Sequence, residues 1–83
     1  MAGTIMNEYK THDTGFVAVL MTLGKAIKDT ELENGVVSFY FDYDEDIVSL
    51  EKRYMLKNLP VDGKTLIENF QYAKSLIYKE IDK

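Results

Sequence analysis

The histidine of this chain, His12, stands beside Asp13, and together these side chains can act as a general base and its orienting carboxylate. Such a pair needs a nucleophile to activate. The sequence has no cysteine, and its serines lack the glycine-flanked context of a hydrolase nucleophile. Asp13 also precedes an apolar run, where a short side-chain oxygen caps a helix. We therefore interpret Asp13 as a helix cap and His12 as an exposed imidazole, and we predict no enzymatic activity.

A second cluster of candidate residues is acidic and comprises Asp42, Asp44, Glu45 and Asp46. Their spacing is similar to the start of a calcium loop, but the glycine and the distal glutamate that complete such a loop are missing. We expect no metal and no cofactor, because acidic residues in a first turn stabilise a helix without one. One alternative stays open, in which the four residues form an acidic face that binds a basic partner protein.

Aromatic and basic residues supply the other candidate site. The chain has 6 tyrosines and 4 phenylalanines, and such rings can stack on bases or anchor an interface. No glycine-rich phosphate loop is present, so an anion would be held by side chains. The predicted binding set for an anionic small ligand is Tyr40, Tyr43, Lys52, Arg53, Lys57 and Tyr72.

Charge is unevenly distributed along the chain, whose formal net charge is −4 at pH 7. Eight acidic residues and no Lys or Arg lie between Asp29 and Glu51, whereas the segment from Lys52 to Lys83 has seven basic residues and four acidic ones. Two copies can therefore attract each other, or one half can face an anion. The negative net charge disfavours binding to a nucleic-acid backbone.

A chain of 83 residues is expected to form one domain, here at 7–83 after a loose N-terminus at 1–6. Domains of this size often need disulfides, a metal or oligomerisation for stability. Because cysteine is absent, we predict a homo-oligomer. The longest apolar run, Phe16–Met21, is too short to cross a bilayer, and the N-terminus lacks a signal-peptide core. We expect a cytoplasmic protein without membrane contact.

Local patterns predict the elements that must position these residues. A short strand at 7–11 places Tyr9 inward, and Asp13 or Thr14 then caps a helix. This helix is apolar nearly all round, so it must be covered on more than one side, and Gly24 fits its left-handed end. Asn34-Gly35 predicts a type I′ hairpin. The strand after it has an apolar face that comprises Val37, Phe39 and Phe41.

Two helices complete the chain. The first begins after Asp42 or Asp44 and breaks at Pro60. Its predicted inner face comprises Ile47, Leu50 and Tyr54, with Met55 nearby. The second begins after Asp62, and its predicted inner stripe comprises Leu66, Phe70, Ala73, Ile77 and Ile81. The order β-α-β-β-α-α predicts an α+β fold, in which a small antiparallel sheet of about three strands packs against helices.

The order of these features resembles a family of small proteins of unknown function from phages and mobile elements of bacteria. The matching pattern spans 9–78 and runs from an aromatic-x-Thr-x-Asp start through a small apolar helix, a glycine and an F-x-F strand to two helices. Its residues are Tyr9, Thr11, Asp13, Ala18, Leu20, Gly24, Phe39, Phe41, Leu50, Tyr54, Lys74, Leu76 and Ile77. The resemblance implies a viral or mobile-element source and supplies no activity.

These observations indicate a non-catalytic binding protein that acts in the host cytoplasm for a phage or mobile element. Its most concrete form is a homo-oligomer that sequesters an anionic small ligand, such as a signalling nucleotide, and thereby evades host defence. Two alternatives stay open. One is an acidic inhibitor of a host defence protein, and the other is an accessory protein that binds single-stranded nucleic acid.

We expect Asp13→Ala to lower the free energy of unfolding by about 1 kcal/mol, because one N–H of the first helical turn loses its acceptor. His12→Ala should leave function unchanged, since the imidazole has no catalytic role. Urea unfolding of the Asp13 variant measures the first effect. Loss of function at unchanged stability in His12→Ala would contradict the helix-cap interpretation.

Overall fold

The computed structural model describes residues 8–82, so the predicted loose N-terminus at 1–6 and the first position of the predicted strand lie outside the described residues. Three strands and three helices follow in the predicted order, and the α+β fold is confirmed. The elements are β1 (Glu8–Thr11), α1 (Thr14–Thr22), β2 (Asp29–Glu33), β3 (Val36–Asp42), α2 (Glu45–Met55) and α3 (Gly63–Ile81).

The sheet is antiparallel with strand order β1-β3-β2, so β3 is central and both neighbours are edge strands. The turn between β2 and β3 has φ values of 55° at Asn34 and 80° at Gly35, which confirms the predicted type I′ hairpin. The predicted apolar face of β3 is also confirmed, because Val37, Phe39 and Phe41 are all buried. These three side chains form the inner face of the sheet.

Helix α1 lies at the centre of the core. Asp13 caps it as predicted, since its Oδ1 accepts a hydrogen bond of 3.1 Å from the backbone N–H of Phe16. Every residue in Phe16–Leu20 is buried, which confirms that this helix is covered on more than one side. The core cluster joins α1 to the inner face of the sheet, to Ile47 of α2 and to Ala73 of α3.

Helix α2 begins after Asp44, whose Oδ1 accepts a 2.9 Å hydrogen bond from the N–H of Ile47. Ile47 is buried, and Leu50 and Tyr54 pack against the core as predicted. Met55, which was expected near this face, is 73% exposed. A helix turns about 100° per residue, so a helix that directs Tyr54 inward turns its neighbour toward solvent.

The predicted inner stripe of α3 is partly wrong. Leu66, Ala73 and Ile77 do face the core, but Phe70 and Ile81 are exposed. Leu76, which the periodicity placed off the stripe, packs against the core cluster instead. The inward face is therefore rotated relative to the most apolar sequence stripe.

Polar side chains explain this rotation. The amide Nδ2 of Asn69 donates a 3.0 Å hydrogen bond to Thr22 Oγ1 on α1. Near the other end of α3, Glu80 accepts a 2.7 Å hydrogen bond from Thr30 Oγ1 on β2. Both α3 residues are partly buried, and partners on neighbouring elements satisfy them. Their inward placement turns Phe70 and Ile81 outward.

The end of α2 contains an uncommon backbone conformation, because Lys57 has a φ of +58°. Its N–H donates to the Tyr54 carbonyl over 3.0 Å, and the N–H of Asn58 donates to the Arg53 carbonyl over 2.8 Å. These two bonds form a Schellman motif, which prefers glycine at the left-handed position. Helix α1 ends in the same way but places Gly24 there, with a φ of +96°.

Lys57→Gly should raise the free energy of unfolding by about 0.5–1 kcal/mol, because glycine adopts positive φ without the steric cost of a β-carbon. The reverse change at the other helix end, Gly24→Ala, should lower it by about 1 kcal/mol. No atom lies within 4 Å of the β-carbon added at Gly24, so that loss reports backbone strain alone. Urea unfolding of both variants measures the two changes in the free energy of unfolding. A Lys57→Gly variant less stable than the wild type would contradict the prediction.

Candidate functional site

An apolar groove of about 270 Å³ opens between the helices. Helix α1 forms the floor of this groove. Tyr54 of α2 forms one wall, and the N-terminal half of α3 forms the other. The lining residues are Gly15, Ala18, Val19, Tyr54, Leu66, Ile67, Phe70 and Gln71. Gly15 and Ala18 carry little or no side chain, so the wall residues approach α1 closely, and the Tyr54 hydroxyl lies directly beside Gly15.

Tyr54 supplies a polar group at the Gly15 end of this groove. Its ring packs on Phe16 with a centroid distance of 5.1 Å, and its hydroxyl donates a 3.4 Å hydrogen bond to Asp13 Oδ1. Burial first, and then the neighbouring Asp13 carboxylate, raise the pKa of Tyr54. The hydroxyl therefore stays a neutral donor at physiological pH.

Lys74 supplies a cation beside the opposite wall. Its Nζ lies 5.7 Å from the centroid of the Phe70 ring, within the range of a cation–π contact. Within residues 8–82, Lys74 forms no ion pair. Its charge is therefore available to an anion near Phe70.

The predicted ligand-binding residues lie on several separate surfaces. Tyr40 is on the outer face of the sheet, where its hydroxyl donates a 2.6 Å hydrogen bond to Glu31. Lys52 lines a shallow groove with Met55 and Leu56, whereas Arg53 lines a different one beside Lys25. None of these three surfaces contains a second member of the predicted set.

The remaining predicted ligand residues are also apart from the α1 groove. Tyr43 is exposed in the link after β3, and Tyr72 is exposed on α3. Lys57 occupies the left-handed end of α2. The three cations at this end of α2 also suit the negative end of the helix dipole, which gives them a structural role that requires no ligand.

Ion pairs reduce the charge of the predicted acidic face. Lys28 Nζ lies 3.2 Å from Asp42, and Lys25 Nζ lies 2.8 Å from Asp44 and 4.0 Å from Asp46. The hydrogen bond from Lys25, followed by that from a backbone N–H, lowers the pKa of Asp44. Glu45, in contrast, forms no ion pair with any residue in 8–82.

The spatial distribution of charge therefore differs from its distribution along the chain. All ion pairs among the described residues use lysines that precede the acidic segment, namely Lys10, Lys25 and Lys28. The basic residues of α2, α3 and their link form none within the same range. Unpaired positive charge consequently lies on the two helices that wall the groove.

This arrangement is suited to binding. His12 is exposed, and the residue beside it serves as the cap of α1. Within residues 8–82, no group of three or more His, Cys, Asp or Glu side chains is placed to hold a metal ion. The α1 groove offers an apolar floor, two aromatic walls and one hydroxyl, with Lys74 beside the Phe70 wall, which is the composition of many small-molecule sites.

Sequence reasoning missed this groove, although one signal was present. Gly15 and Ala18 are three residues apart on an otherwise bulky apolar helix, so they lie on one face. Two small residues on one face leave space between this helix and its neighbours. The same reasoning assigned Phe70 to the core, whereas the structure places it in the groove wall.

No protein-family model matches this sequence, and no curated protein or solved structure matches the chain. No helix in the described part of the chain is long and apolar enough to cross a membrane. The relation to phage and mobile-element proteins therefore stays a prediction from the residues quoted above.

Gly15→Ala should destabilise the protein, because the added β-carbon would lie 2.6 Å from the Tyr54 hydroxyl oxygen and push the ring away from Phe16. In a Tyr54→Phe background that oxygen is gone, and the nearest ring atom would lie 3.8 Å away. The penalty should then fall, because alanine favours a helix by roughly 0.5–1 kcal/mol over glycine. A double-mutant cycle in urea measures this coupling, and additive effects would contradict the close contact.

Proposed function

We propose that this protein is a non-catalytic binding protein whose α1 groove holds an anionic small ligand with an aromatic or apolar body. The observation that carries the proposal is the pairing of an apolar groove with an unpaired cation at its wall. An aromatic ring of the ligand packs between Tyr54 and Phe70, and its anionic group lies beside Lys74. The Tyr54 hydroxyl, which donates a hydrogen bond to Asp13, accepts one from the ligand at the other end.

A nucleotide has this chemistry, because it joins a flat aromatic base to an anionic phosphate. Stacking of a base on an aromatic side chain is worth about 1–3 kcal/mol. A signalling nucleotide is therefore the most concrete ligand class for the groove. In this proposal the protein binds the ligand and does not convert it.

The biological setting rests on the resemblance to phage and mobile-element proteins. In that setting the protein acts in the host cytoplasm and lowers the free concentration of a host signal. The acidic-inhibitor alternative has less support, because Lys25 and Lys28 already occupy three of its four carboxylates. Binding of single-stranded nucleic acid also has less support, because the exposed tyrosines do not form one surface.

The first test uses anilinonaphthalene sulfonate, a dye that carries an aromatic body and one anionic group. We expect the dye to bind the wild-type protein with enhanced fluorescence. Phe70→Ala should raise its Kd roughly 3- to 10-fold, because a single aromatic contact contributes about 0.5–1.5 kcal/mol. Lys74→Glu should also raise the Kd, since it replaces attraction with repulsion.

The matched control is Lys52→Glu, which makes the same change of charge on α2, away from the α1 groove and from α3. Its Kd should equal that of the wild type. Circular dichroism and thermal unfolding of each variant exclude dye binding to a loosened core. Equal weakening by Lys74→Glu and Lys52→Glu would reduce the effect to net charge and would refute the proposed site.

A further inference from the structure

The outward face of α3 carries an apolar stripe that no element of the described chain covers. Its four apolar residues are all exposed, namely Ile67 (60%), Phe70 (39%), Tyr78 (60%) and Ile81 (53%). The helical repeat places all four on one face, with Lys74 among them. The stripe continues into the α1 groove, because Ile67 and Phe70 belong to both. A contiguous exposed apolar surface of this kind marks an interaction site.

The stripe is symmetric about Lys74. Phe70 precedes Lys74 by four residues and Tyr78 follows it by four, while Ile67 precedes it by seven and Ile81 follows it by seven. An antiparallel copy of α3 centred on Lys74 therefore sets Phe70 against Tyr78 and Ile67 against Ile81. Each apolar side chain therefore meets an apolar side chain, and the contacts are reciprocal, as a two-fold interface between identical chains requires.

We propose that a second copy of this chain docks on the stripe, with the two α3 helices antiparallel and a two-fold axis at Lys74. On each copy, Phe70 and Ile67 form part of the α1 groove. In this dimer, Tyr78 and Ile81 of the other copy lie over that part of the groove. The second copy thus closes the open side of the ligand site. This role for the second copy rests on the proposed function of the groove.

Charges beside the stripe favour the antiparallel orientation. Lys64, Glu68, Lys79 and Asp82 lie on one flank of the stripe by helical periodicity. In the two-fold dimer this flank meets the same flank of the other copy, with the chain direction reversed. Lys64 then lies near Asp82, and Glu68 lies near Lys79. A parallel pair would lack this match of opposite charges.

The dimensions of α3 suit such an interface. The helix has 19 residues, so it is about 28 Å long, and the molecule measures 33 × 33 × 19 Å. The stripe from Ile67 to Ile81 therefore spans about 21 Å along the helix. A dimer also supplies the support that a small core without cysteine needs.

Lys74 is the unfavourable position in this interface, because the axis brings two copies of the same cation together. Each ammonium group lies beside the Phe70 ring of its own chain, at the edge of the groove. An anionic ligand there offsets the repulsion, so ligand binding and dimerisation promote each other. Lys74→Leu should accordingly tighten the ligand-free dimer, whereas Lys79→Leu should not.

Cysteine cross-linking tests the register directly, because the natural chain has no cysteine. Lys74→Cys alone should form a covalent dimer under mild oxidation, since the two copies of this residue meet at the axis. Ile67→Cys and Ile81→Cys should each fail alone, because two copies of either residue lie about 21 Å apart along the helices. An equimolar mixture of these two variants should form the covalent dimer. Similar cross-linking yields from all single variants would overturn the register. So would the absence of a covalent dimer from every variant and from the mixture.

Sedimentation velocity of the unmodified protein tests the interface itself. The wild type should sediment as a dimer and Tyr78→Asp as a monomer. The control Val48→Asp places the same charge at an exposed apolar position of α2 and should remain dimeric. A monomeric wild type would overturn the dimer. Dye binding by such a monomer would leave the groove proposal intact, whereas a dimer that binds no dye would refute the groove alone.

Discussion

The whole fold depends on the burial of five consecutive residues in α1. A helix with Phe16–Leu20 buried all round cannot lie on a surface, so other elements must enclose it. The sheet covers one side through the inner face of β3, and α3 covers another. Helix α2 adds Ile47 and the Tyr54 ring to this enclosure. The α1 groove lies beside Gly15 and Ala18, between Tyr54 and the N-terminal half of α3.

Features that depend on neighbouring residues in the chain were predictable. Asp13 caps α1 because capping needs only a short oxygen and the N–H groups of the next turn. The Asn34-Gly35 turn and the alternation in β3 follow from backbone preference and the two-residue repeat of a strand. The element order and the fold class follow from these local rules combined.

Features that depend on distant residues were not predictable from patterns. The choice of the inward face of α3 was decided by Thr22 and Thr30, which give Asn69 and Glu80 their hydrogen bonds. The acidic segment appeared unpaired because its lysine partners precede it in the chain. The groove is a space between three elements, and no single segment encodes it. Apolar periodicity alone therefore placed Phe70 and Ile81 in the wrong layer.

The two edges of the sheet have a consequence for aggregation. Strand β1 has only four residues, and β2 carries Asp29, Glu31 and Glu33 along its length. A β2 strand that added to another β2 would bring these carboxylates together, and short charged edges resist such growth. The strands therefore block open-ended, fibre-like addition of chains. Contacts between copies are directed to the helical side, where a symmetric pair closes and cannot propagate.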